Sequence, residues 1–108
     1  LFRSGVIQQM LTIIEQTYGV SLDQHSVNVG RFITHLRYLF VRIHQGKQLD
    51  EEPEPIIASI RQSYPKAMQC AQTIGTVASL RLGSNLTEDE VAYLALHVAR
   101  VVADARKP

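Results

Sequence analysis

A chain of 108 residues, 45% hydrophobic, is long enough to bury one core, and eleven basic against ten acidic side chains leave a formal charge of +1. That balance is too even to suggest a nucleic-acid surface, which usually needs a clustered basic excess, and no run approaches the roughly 18 apolar residues of a membrane span. Residues 1–20 lack the basic start, apolar run and small-residue cleavage site of a signal peptide. A lone Cys70 excludes an internal disulfide, fits a reducing, cytoplasmic setting, and reads as a small buried hydrophobe. The start at Leu-Phe-Arg, without Met, suggests a single domain over 1–108 excised from a longer protein.

The apolar residues recur at helical spacing throughout, with no alternating strand pattern. Val6, Ile7, Met10, Leu11, Ile13 and Ile14 mark a first helix near 3–18, with Gly19 as its left-handed cap. A second helix spans about 26–45 and ends at Gly46. The linker from Lys47 to Pro55 gathers acids and prolines where a third helix, near 54–63, begins and holds Ile56, Ile57 and Ile60. Tyr64-Pro65 interrupts the path, because proline disfavours helical geometry in the residue before it. A fourth helix follows over 65–82, ended by Gly83. The fifth, 87–105, has the clearest start: Thr87 as N-cap, Glu90 completing a capping box, and Leu86 and Val91 spaced for a hydrophobic staple. Five helices with short connections predict an all-α bundle.

Helices two and five each carry one histidine beside arginine and tyrosine. At about 100° per residue, Arg31, His35, Tyr38 and Arg42 share one strip, flanked by the apolar face of Phe32, Ile33, Leu36, Leu39, Phe40 and Ile43. On the last helix Glu90, Tyr93, His97, Arg100 and Asp104 cluster beside Val91, Leu94, Val98 and Val102. Both histidines therefore sit on the shoulder of a core face. Taken singly, such a histidine is most often a hydrogen-bonded residue with no chemistry, and Glu90 is first of all a cap. His44, in a last helical turn, and His25, in a polar connection, read as surface residues. Arginines around His35 would lower its pKa and keep the imidazole neutral. A neutral ring nitrogen is nucleophilic, and guanidinium groups are preferred partners of phosphate. That combination suits a phosphoacceptor better than a pH switch.

Enzyme templates fail. There is no His-Glu-x-x-His, no Cys-x-x-Cys, no histidine pair four apart for zinc, no glycine-rich phosphate loop and no nucleophile elbow. No catalytic residue, metal or cofactor is expected.

Arg31-Phe32-Ile33-Thr34-His35-Leu36, with Arg42 beyond it, resembles the first signature of the PTS regulation domain. Asp89-Glu90-Val91-Ala92-Tyr93-Leu94-Ala95-Leu96-His97-Val98-Ala99-Arg100 resembles the second, and Tyr64-Pro65-Lys66-Ala67 a weaker landmark between them. The similarity covers essentially the whole chain. It implies a five-helix bundle, found in duplicate in bacterial antiterminators of the BglG and LicT type and in sugar-operon activators. Histidines in such domains are phosphorylated by HPr or by sugar-specific enzyme II components of the phosphotransferase system, which shifts dimerisation and hence an attached RNA- or DNA-binding domain. Carried over by position, the acceptors are His35 and His97. Arg31, Arg42 and Arg100 would support the phosphate, with Tyr38, Glu90 and Tyr93 behind them. His25 and His44 match no motif position. Thr-His-Leu after Arg-Phe looks more like the second copy of an antiterminator, although Tyr38-Leu39-Phe40-Val41 departs from the family's frequent consecutive aromatics. The resemblance also implies a homodimer that contacts nucleic acid only through a domain outside these residues, and no membrane. Two other readings compete: a histidine phosphotransfer domain of a two-component relay, which needs one acceptor on one helix hairpin, and a plain helical dimerisation module.

Overall fold

The computed structural model describes residues 4–48 and 54–107, which form five helices: α1 Ser4–Tyr18, α2 Val27–Gln45, α3 Glu54–Ser63, α4 Pro65–Leu82 and α5 Glu88–Ala105. No strand occurs among the described residues. The expected acids and prolines of the α2–α3 linker lie mostly in 49–53, outside the described residues.

Each helix end has a local cause. Gly19, Gly46 and Gly83 take φ of 66°, 69° and 76°, the left-handed region that a side chain disfavours, and they close α1, α2 and α4. Ser26 lies outside α2 as its N-cap and accepts a hydrogen bond from the Val29 N–H. At Tyr64 the backbone leaves helical geometry (φ −131°, ψ 58°), and Pro65 opens α4, where its missing N–H costs nothing. The capping box of α5 is complete: Thr87 Oγ1 accepts from the Glu90 N–H, and Glu90 Oε1 accepts from the Thr87 N–H.

A single core joins all five helices, centred on α4 and α5, which pack together most extensively and each touch the other three. Small residues permit that closeness: Ala67, Ala71, Gly75 and Ala78 from α4 and Ala92 and Ala95 from α5 are all buried. Leu86 and Val91, the staple pair, both close over Gly75. The larger volume comes from Met10, Leu11 and Ile14 of α1, Phe32, Leu36 and Phe40 of α2, and Ile74 of α4. Cys70 is buried as expected, and burial pushes its thiol pKa up. In α3, Ile57 and Ile60 enter the core but Ile56 remains exposed, because a ten-residue helix lying on the bundle surface buries one face. Tyr18, at the end of α1, lies under Lys66 of α4 (4.9 Å) and Arg106 past α5 (5.5 Å), two cation–π contacts that fasten three chain segments.

Candidate functional site

Two contacts fix how α2 meets α5. Just past the end of α2, Gln48 Nε2 donates to Glu90 Oε1 and to the Asn85 carbonyl, both at 2.8 Å, pinning that end to the start of α5. Further along, His35 of α2 meets His97 of α5. The helices therefore run in opposite directions, and the two histidines come from the middle of each.

Their rings are in face contact, with centroids 3.7 Å apart and planes inclined by 32°. His35 is exposed and His97 half-buried. Both pKa values are lowered. For His35 the causes are burial, then the charges of Arg42 and Arg100. His97 is pushed down to about 4 by burial, then by His35 and by Arg100. At neutral pH both rings are thus neutral, each with a nitrogen lone pair free to act as a nucleophile. Two imidazolium rings in this contact would repel strongly, so the pair titrates as a unit.

The flanking cations differ in one respect from the expected set. Arg42 and Arg100 act on the histidines, whereas Arg31 is exposed and is not among the charges that shift His35. Arg42 lies two turns beyond His35, and because helical side chains lean towards the N-terminus its long side chain extends back along the helix towards the ring. Arg100, one turn beyond His97, does the same on α5 and reaches both rings. Arg42 and Arg100 form no ion pair among the described residues, unlike Arg61, which is paired with Glu88. Arg42 Nε is buried without a hydrogen-bond partner, a donor whose desolvation is uncompensated.

The acids near His97 in sequence are engaged elsewhere, Glu90 as the expected cap. Glu90 is buried and engaged with Thr87 and Gln48, and Asp104 faces Lys107 at 3.9 Å. Neither is among the charges that shift His97, whose neighbours are a histidine and an arginine. Tyr38 is 62% exposed and Tyr93 half-buried. His25 and His44 are exposed and outside the pair. Gln48 and Asn85, which help dock α2 on α5, carry no signal in the sequence beyond lying next to helix ends. No group of three or more histidine, cysteine or acidic side chains that could hold a metal ion occurs among the described residues, and no helix there is long and apolar enough to cross a membrane.

Residues 8–101 match the family model of the PRD domain. The transcription antiterminator LicT of Bacillus subtilis is 28% identical over 100 residues, covering 93% of this chain and 36% of that protein. A beta-glucoside operon antiterminator of Dickeya chrysanthemi is 26% identical over 102 residues, 94% of this chain and 36% of its own length. The protein GlcT of Staphylococcus epidermidis is 30% identical over 93 residues, 86% and 33% respectively. The chain thus spans about a third of the length of these relatives. A solved structure described as GlcT CAT-PRDI superposes with a TM-score of 0.76 at 19% identity, over 94% of this chain and 59% of that one, a likeness of fold that does not decide which copy of the domain this is. The chain belongs to the PRD domain family, whose members in antiterminators regulate and do not catalyse.

Proposed function

We propose that this chain is a regulatory domain of a cytoplasmic sugar-operon transcription antiterminator or activator, controlled by phosphorylation of His35 and His97. The donors are HPr or sugar-specific enzyme II components of the phosphotransferase system, and the output is a change in association between two copies of the domain. Nucleic-acid binding belongs to other parts of a longer protein. The observation that carries this reading is the contact of two neutral imidazoles, 3.7 Å apart, beside two arginines without carboxylate partners among the described residues.

The chemistry needs nothing else from the fold. The lone pair of a neutral ring nitrogen forms the new N–P bond as the donor's N–P bond breaks and its electron pair returns to the donor imidazole. The phosphoryl brings up to about two negative charges to the acceptor. Arg42 and Arg100 are positioned to meet them with charge-assisted hydrogen bonds. A relay domain would need one exposed histidine on a hairpin; a packed pair from separate helices favours the regulatory reading.

The test is to incubate the 108-residue chain with enzyme I, HPr and phosphoenolpyruvate, then compare wild type with His35→Ala, His97→Ala and the double variant. Acid-labile label is expected in wild type and absent from the double variant. Label that persists in the double variant, or disappears only when His25 or His44 is changed, overturns the assignment.

A further inference from the structure

We propose that His35 and His97 form one site that holds a single phosphoryl group at a time, so that loading either ring closes the other. The inference rests on the phosphorylation reading above and adds a stoichiometry to it.

Geometry is the first argument. The rings are in face contact, so groups attached to any of their nitrogens lie within about 8 Å of each other, no more than a Debye length at physiological salt. Each phosphoryl group would carry up to about two negative charges. Two of them side by side repel across a short and partly desolvated gap.

Charge matching is the second. Two guanidiniums act on the pair, those of Arg42 and Arg100. Neither is in an ion pair among the described residues, so both are available to an incoming anion. Their combined charge matches one phosphoryl dianion and leaves a second unmatched. Arg100 acts on both rings and can bond fully with the phosphate of only one.

Ring orientation excludes a simple relay from one histidine to the other. The lone pair of an imidazole nitrogen lies in the ring plane, and with the centroids 3.7 Å apart and the planes inclined by only 32° neither lone pair aims along the line to a phosphorus carried in the plane of its neighbour. In-line displacement between the two therefore requires the rings to part. The exposed His35 accepts first, and the half-buried His97 accepts when His35 is empty. In each case one N–P bond forms on the domain as one breaks on the donor.

Intact-mass measurement at neutral pH tests this, on the 108-residue chain with the exposed His25 and His44 replaced by Asn in every form compared, treated to saturation either with enzyme I, HPr and phosphoenolpyruvate or with phosphoramidate. The small donor removes any exclusion caused by the bulk of a protein. Wild type, His35→Asn and His97→Asn are each expected to gain one phosphoryl group, and the double variant none. A wild type carrying two groups while each single variant carries one overturns the proposal, as does a single variant, His35→Asn or His97→Asn, that gains none. If neither donor labels any form, the phosphorylation reading itself has failed. A charge test separates repulsion from altered packing. His97 in His35→Asp should be labelled at least about tenfold more slowly than in His35→Asn, with the gap narrowing at high salt. Equal rates in variants of equal helix content by circular dichroism overturn it.

Discussion

The first turn of α5 and its middle treat an ionisable side chain in opposite ways. Glu90 is 2% exposed, and its Oε1 accepts from the Thr87 N–H and from Gln48, so it joins the helix start to the end of α2. Two turns on, His97 lies against another imidazole and under the charge of an arginine, and burial with these neighbours suppresses its charged form. A group whose neighbours donate hydrogen bonds to it holds the fold together. A group kept neutral beside cations that form no ion pair among the described residues has the surroundings that the proposed phosphoryl acceptor needs. Burial alone does not distinguish the two; the polarity of the partners does.

If that contrast holds, Glu90→Ala should cost about 1–3 kcal/mol, since it strands the Thr87 N–H and leaves Gln48 Nε2 with the Asn85 carbonyl as its acceptor, yet leave phosphoryl labelling in place in the folded protein. Denaturant unfolding and labelling on the same sample check both halves. Loss of label with little loss of stability would break the comparison, because Glu90 would then belong to the site.

Acidification should expose the histidine end. The folded pKa of His97, about 4, lies below the ordinary 6.5, so the unfolded chain binds the proton more tightly. The stabilising difference is present above pH 6.5 and is lost as pH falls towards 4, His35 contributing in the same direction. Discounted for partial solvent screening, the loss is on the order of 1–2 kcal/mol. Thermal unfolding from pH 7.5 to 4.5 should show it, and His97→Asn should flatten the slope. An unchanged slope in that variant would place the acid sensitivity elsewhere.

Thr87→Ala removes the other half of the capping box and should cost about 0.5–2 kcal/mol without altering the titration of either histidine. Chemical denaturation and an NMR titration separate these effects. The smallest effect is expected from Arg100→Gln. Removing a cation that lowers both pKa values should raise both, by less than about one unit, or 1.4 kcal/mol, since burial is the larger cause. A downward movement of either would contradict the placement of Arg100.

Helix positions were legible in the sequence because their causes are local. Apolar spacing marked the buried faces, and Gly19, Gly46, Gly83, Thr87 and Pro65 marked the ends through φ preferences or hydrogen bonds spanning a few residues. Ile56, Ile57 and Ile60 fall in the third helix as expected, but apolar character alone did not say that Ile56 would stay exposed, because it does not tell how much of a short helix its neighbours cover. His35 and His97 were singled out one at a time, by neighbours on their own helices. That view favoured Arg31 by spacing, whereas the cations that lower the His35 pKa are Arg42 and Arg100, the second of them on another helix.

Only the tertiary structure made a site of them. The seam of small residues between α4 and α5, and the Gln48 contact that sets α2 antiparallel to α5, bring together two rings far apart in the chain. The sequence by itself determined five helices, their ends and two candidate histidines, since each follows from backbone preferences and side chains within a turn or two. Ring contact, the sharing of Arg100 and the depth of the His97 pKa shift depend on distances between helices, which are decided when the whole core packs.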